Sequence, residues 1–200
     1  MEPYLCDEQT TSGRAYSPAM THRTAAELEQ GLDAVRKAPR DAGDVRLIVR
    51  RPAENEREIL EEGRLDTEHG LVGDGWEQHR GHDGEPAWYA QVTVMNARYA
   101  ELISGSPESA DWAPAGDQLY VDLDISEANL PAGTRLSIGE AVIEMSPQPH
   151  TGCAKFSSRF GSDAWKLANS ELGRSLRLRG ANARVVQSGI VRTGDTARKV

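Results

Sequence analysis

Cysteine is scarce in this chain: Cys6 and Cys153 are the two in 200 residues, and most of the sequence separates them. Cys6 lies in a polar stretch, so no structural disulfide is expected, and a reducing compartment such as the cytoplasm suits the chain. Long apolar runs are missing too. None approaches the roughly 18 residues of a membrane helix, and mean hydropathy is −0.58. The opening MEPYLCDEQTTSG has neither a basic start nor an apolar stretch, so no signal peptide is expected. There is no GxSxG elbow, P-loop, GxGxxG or CxxC, which argues against a classical serine hydrolase, an NTPase and a dinucleotide enzyme. No internal repeat or low-complexity tract is found.

Charge is present but unevenly spread. The formal net charge is −8, yet from His150 onward ten lysines and arginines face three acids. An acidic body argues against nucleic-acid binding, and nothing suggests a membrane partner. The basic last quarter suits a small anionic ligand. It equally suits a solvated face paired with acidic neighbours.

The length fits one domain with an extra segment. Residues 1–20, rich in Thr, Ser and Gly, read as a disordered tail. Thr24 to Glu27 forms a capping box, and Leu28, Leu32 and Val35 follow at helical spacing, so residues 21–43 read as a helix and linker. The domain proper is expected over 44–200. Val45 to Arg50 alternates as a strand. Glu54 to Glu62 reads as a short polar helix closed by Gly63, and 70–87 as a Gly-rich loop. Strands are expected at Gln91 to Asn96 and Leu119 to Ile125. A hairpin is expected through Gly139-Glu140, where glycine first in a two-residue connection signals a type II′ turn. Asp163 to Ser170 reads as a helix with Trp165 and Ala168 inward, and Arg184 to Val191 as a last strand. Short strands without a regular βαβ rhythm predict a mainly β, α+β fold: a mixed, mostly antiparallel, barrel-like sheet with peripheral helices.

The stretch HTGCAKFSSRFG, His150 to Gly161, carries the most chemistry. A thiol is reactive, or ligates a soft or high-valent metal, as its thiolate, and nearby cations favour that form. His150, Lys155 and Arg159 surround Cys153 in sequence, Pro147 and Pro149 stiffen the approach, and Gly152 permits close backbone approach to a ligand. A buried, inert thiol is the other reading. Residues 69–84 crowd His69, Asp74, His79 and His82 on one loop, which suggests either a bare metal site or a polar loop shaping a pocket. Asn129 in SEANLPAG is, by itself, a turn residue.

Three segments in order resemble a MOSC domain, the family named for the C-terminal domain of molybdenum cofactor sulfurase. GLVGDGWEQHRG (Gly70 to Gly81) resembles the family's early Gly-Asp-x-x-x-His region. DLDISEANLPAGTRLSIGEAVIEMSPQP (Asp122 to Pro149) resembles its Asn-Leu loop, hairpin and following strand. HTGCAKFSSRFG resembles its single-cysteine loop, with Gly152 where larger reductase members often carry proline. The likeness covers roughly residues 44–195 and points to a small stand-alone member. It implies a barrel-like β fold and a molybdopterin-type molybdenum cofactor, with Cys153 as the molybdenum ligand and catalytic residue. Lys155 and Arg159 would then hold the cofactor phosphate, and His150, Thr151 and Asn129 would line the pocket. The domain would act as a cofactor carrier or as part of a reductase with an electron-donor protein. A Cys153 persulfide charged by a sulfur-donor protein is the alternative, and a non-catalytic interaction module docking through its basic face or N-terminal helix is another. Pyridoxal phosphate belongs with the fused sulfurase domain and is not expected here.

Overall fold

The computed structural model describes residues 21–78, 84 and 87–200, so the expected tail, Cys6, His79 and His82 lie outside the described residues. Helix α1, Ala25–Arg36, starts where the sequence places it. The Thr24 hydroxyl accepts from the Glu27 backbone, and the Glu27 carboxylate accepts from Thr24 N at 2.8 Å. Strand β1, Ala42–Arg50, follows, then β2 (Glu58–Leu60), β3 (Glu62–Asp66) and β4 (Gly70–Leu71). The polar helix expected over Glu54 to Glu62 is replaced by these short strands. In β2, Glu58 and Ile59 are exposed and Leu60 is half-buried, so no apolar alternation marks it; β2 pairs with β1, and β3, which buries Gly63 and Leu65, pairs with the later strand Gly189–Arg192.

Strand β5 (Val92–Asn96), helix α2 (Ala97–Ser104) and strand β6 (Leu119–Val121) form a βαβ unit, with β5 and β6 parallel. Every residue of both strands is buried, as a parallel pair covered on both faces requires. The strand expected through Ile125 thus ends at Val121. Strands β7 (Arg135–Ile138) and β8 (Ala141–Met145) form the anticipated hairpin, with φ +54° at Gly139. After α3 (Ala154–Asn169) and α4 (Glu171–Ser175) come β9 (Ala181–Gln187), β10 (Gly189–Arg192) and β11 (Thr196–Lys199).

These strands close into a barrel. Its order is β11-β7-β8-β9-β5-β6-β1, and β1 returns to β11 by pairing Ala42 to Asp44 with Thr196 to Arg198. All pairings but β5–β6 are antiparallel. Strand β2 extends the sheet past β1, and β10-β3-β4 forms a small second sheet. The architecture is the mainly β, mixed barrel with peripheral helices that the sequence predicts. The last strand expected at Arg184 to Val191 is instead two, β9 and β10, and a further strand, β11, closes the barrel.

Two apolar layers hold the fold. The barrel interior contains Ile48, Val94, Leu119, Leu136, Ile143 and their neighbours. The second layer lies outside β1, β5 and β6, where Val49, Met95 and Tyr120 meet Leu28, Ile103 and Phe160 from the helices. Helix α1 therefore packs on α2 and α3. Trp165, expected inward, is 37% exposed. Its indole donates to the Gly152 carbonyl at 2.8 Å instead. Among the described residues, no helix is long and apolar enough to cross a membrane.

Candidate functional site

The loop leading out of β8 ends at Cys153, which caps the N-terminus of α3 with an extended backbone (φ −96°, ψ 177°). Two side chains from the far half of α3 pin it. Gly152 N donates to Asn169 Oδ1 at 3.0 Å, and Gly152 O accepts from the Trp165 indole. A Cβ at residue 152 would stand 2.8 Å from Asn169 Nδ2. The glycine before the cysteine thus admits Asn169 and Trp165, not a ligand. Helix α3 is itself broken at Gly161, whose φ of +89° turns its second half back to reach this loop.

The Cys153 thiol is free and exposed. Partial burial works against ionisation, but the backbone N–H groups of Phe156 and Lys155, and then the charge of Arg179, outweigh it and bring the thiol below its ordinary pKa. The sequence assigned this effect to the side chains of Lys155, Arg159 and His150. Instead it comes from the start of a helix. The Lys155 ammonium is paired with Glu54.

Cys153 opens onto a cavity of about 600 Å³ lined also by Arg51, Arg57, Arg159, Arg179 and His150. The arginines differ in what holds them. Arg51 is clamped by Asp74, which accepts from its Nε at 3.0 Å and its Nη2 at 2.8 Å. Arg179 donates to Asp117 Oδ2 at 2.6 Å and to Ala115 O at 3.0 Å. Among the described residues, Arg159 donates only to neutral oxygens, Pro114 O at 2.9 Å and Asn55 Oδ1 at 3.1 Å. Arg57 bonds to the Glu56 carbonyl, and its Nε is buried without a partner, as is the Nε of Arg179. Burial, and then the charges of Arg159 and Arg51, push Arg57 below its usual pKa. The cavity thus gathers cationic donors with spare hydrogen-bonding capacity. An anion would relieve their repulsion, and a thiol of lowered pKa stands beside them.

His150 lines the same cavity, with Nδ1 3.4 Å from Asp117 Oδ1. Burial, and then Arg179 and Arg51, hold its ring neutral well below the usual imidazole range. Of the residues singled out from sequence, Cys153, His150, Lys155 and Arg159 meet here; Thr151 and Asn129 do not line the cavity. Asn129 is consumed elsewhere. Its amide donates to Arg40 O and Asp124 O, both at 2.7 Å, and its oxygen accepts from Arg40 and Lys199. The histidine loop supplies Asp74 as an arginine clamp, while His69 bonds outward to Glu77. Among the described residues, no group of three or more His, Cys, Asp or Glu is arranged to hold a metal. Arg51, Arg57, Asp117 and Arg179 were not foreseen; the only signal for them was the basic run ending in Arg179-Gly180.

Much of the basic last quarter is the solvated, paired face that the charge count allowed. Lys166 meets Asp163, Arg184 meets Glu144, Arg192 meets Glu62 and Lys199 meets Asp41. Arg159, Arg179 and the paired Lys155 are what it contributes to the cavity.

The comparisons agree with this geometry. No curated protein matches the sequence. Among solved structures, the YUAD protein from Bacillus subtilis superposes with a TM-score of 0.53 at 16% identity, over 78% of this chain and 94% of that one. A hypothetical protein gives 0.55 at 22% identity, over 84% and 70%. YiiM from Escherichia coli gives 0.51 at 21%, over 78% and 69%. At such identities they share the fold and no more. The sequence model of the MOSC domain matches residues 77–198, well over half of the chain and the whole run from the cavity loop to the closing strand, and the chain belongs to the MOSC domain family.

Proposed function

We propose that this domain binds a molybdopterin-type molybdenum cofactor, with Cys153 Sγ as the protein ligand to molybdenum and the arginines holding the phosphate. One observation carries the reading: an exposed, acidified thiol shares a cavity with Arg57 and Arg159, two guanidiniums that meet no carboxylate among the described residues. The donor set fits the group, since thiolate suits a soft or high-valent metal and guanidinium suits phosphate. When bound, the cofactor would supply two-electron redox chemistry. This chain's part is to hold it at both ends, with ionisation of the thiol favoured by the start of α3. The domain then works as a carrier, or as the molybdenum-bearing part of a reductase that receives electrons from a partner protein. A reducing compartment such as the cytoplasm keeps Cys153 free.

The test is metal analysis of protein purified from a host that makes the cofactor. Near-stoichiometric molybdenum, lost in Cys153→Ser, supports the reading; wild-type protein without molybdenum overturns it. A second reading, a sulfur carrier with a Cys153 persulfide, is favoured by the exposure of the thiol. It predicts a mass increment of one sulfur atom on Cys153, and no molybdenum.

A further inference from the structure

His150 and Asp117 face each other across an unfinished contact. Asp117 is fully buried. Its Oδ2 is taken by Arg179, while its Oδ1 has no hydrogen-bond partner among the described residues. His150 Nδ1 is likewise buried without a partner and stands 3.4 Å from that oxygen. Buried polar atoms are rarely left unpaired, and one proton satisfies both of these if it sits on Nδ1. Gly180 makes room for the approach: a Cβ there would lie 2.8 Å from Asp117 Oδ1 and 3.2 Å from His150 Nδ1.

A neutral imidazole carries one proton, so protonation of Nδ1 leaves Nε2 with a lone pair. The ring lines the cavity that holds Cys153. The charged groups around it are Asp117, Arg179 and Arg51, and the two arginines oppose a positive ring. We propose that Asp117 fixes His150 in its Nδ1–H tautomer, so that Nε2 serves as a neutral hydrogen-bond acceptor within a cavity otherwise rich in guanidinium donors. Such a cavity selects a ligand that is anionic at one end and offers an N–H or O–H group to His150 at another. His150 is then a specificity-determining residue and Asp117 a positioning residue. The ligand part of this inference rests on the cofactor reading above; the tautomer part does not.

Nitrogen NMR of protein labelled with ¹⁵N-histidine tests it, with His150→Gln assigning the His150 signals among the chain's five histidines. The expected result is Nδ1 protonated and Nε2 bare at neutral pH, with no titration at the ordinary imidazole value. In Asp117→Asn the Nε2–H tautomer should gain population. A wild-type His150 protonated on Nε2, or charged at neutral pH, overturns the proposal whether or not that variant folds. Retained molybdenum supplies the ligand arm. His150→Gln keeps an acceptor and should hold most of the wild-type content, while His150→Phe should lose it several-fold. Equal retention in both variants refutes the acceptor role while leaving the cofactor reading intact. Wild-type protein that lacks molybdenum but shows the Nδ1–H tautomer refutes the cofactor reading and sustains the Asp117–His150 arrangement.

Discussion

Arg179 Nη1 donates to Asp117 Oδ2 at 2.6 Å, and both side chains are almost wholly withdrawn from water. Burial raises the Asp117 carboxyl above its usual pKa, and the arginine's charge and hydrogen bond pull it back. A pair of this kind adds little net stability when intact but is costly to break, because the partner left behind is a buried unpaired charge. Arg179→Ala should therefore cost about 3–5 kcal/mol in urea denaturation at neutral pH. Arg179→Lys should fall between, since it keeps the charge but cannot reach Asp117 and Ala115 O together. A loss for Arg179→Ala within the exposed-pair range of about 0–1 kcal/mol would mean that water reaches Asp117.

Cys153 should alkylate at a pH where an ordinary thiol is still protonated, because the N–H groups at the start of α3 favour its thiolate. Lys155→Ala should leave the alkylation pH profile nearly unchanged, since that ammonium is bound to Glu54 and the contribution of residue 155 is its backbone. Mass spectrometry of the Cys153 peptide across pH reads this directly. A profile shifted upward in Lys155→Ala would restore the ammonium as the stabilising group.

The parts of the fold that could be read in advance are those specified locally. The Thr24–Glu27 capping box and the Gly139 hairpin each lie within a few consecutive residues. What escaped is set by distant partners. In β2, Glu58 and Ile59 are exposed and Leu60 is only half-buried, so nothing in Glu54 to Glu62 separates an edge strand from a polar helix. Strand β11 buries only Ala197 and forms because β1 and β7 both present unpaired backbone.

The site divides the same way. Cys153 and its basic neighbours are contiguous, so the sequence finds them. Arg51 with Asp74, and Asp117 with Arg179, join residues 23 and 62 positions apart. No spacing rule reaches that far. Asn129 was placed at the pocket by the family resemblance and not by its own loop, which reads as a turn; four hydrogen bonds tie its side chain to Arg40, Asp124 and Lys199.

Deleting residues 196–200 should unfold the domain rather than fray it, because β11 is the only strand joining β1 to β7 in the closed order. Without it, both neighbours become open edges. Loss of cooperative thermal unfolding is expected. Arg198→Ala, which removes an exposed side chain and leaves the backbone pairing, should melt like the wild type. A truncated protein that still unfolds cooperatively would show that β1 and β7 do not need the strand.

The His150 ring makes stability pH-dependent. The unfolded chain takes up this proton near the ordinary 6.5, while the folded one does so only well below that. Between those two values the unfolded state holds more protons, so stability falls as pH falls through the window and is flat above it. Asp117 acts in the opposite sense. Its folded pKa is raised above 3.8, so acidification through that interval favours the folded state. Subtracting His150→Gln from the wild type isolates the histidine. The urea midpoint should decline more steeply in the wild type from about pH 6.5 to 5. Parallel curves would mean that the ring charges as readily folded as unfolded.

The guanidiniums of Arg57 and Arg159 lead to the last expectation. Arg57 is disfavoured by burial and by Arg159 and Arg51, so a bound anion should lower the energy of the folded state specifically. Inorganic phosphate should raise the melting temperature. The stabilisation should grow with the logarithm of concentration and reach about 2.7 kcal/mol at a hundred times the dissociation constant. Arg57→Ala and Arg159→Ala should each lose most of this effect. Lys155→Ala should keep most of it, because Glu54 already holds that charge. Arg198, exposed on β11 and outside the cavity, gives the control. Chloride at matched ionic strength separates site binding from screening. Equal losses in all four variants, or equal stabilisation by chloride, would reduce the effect to diffuse attraction and remove the anion-binding end of the proposed site.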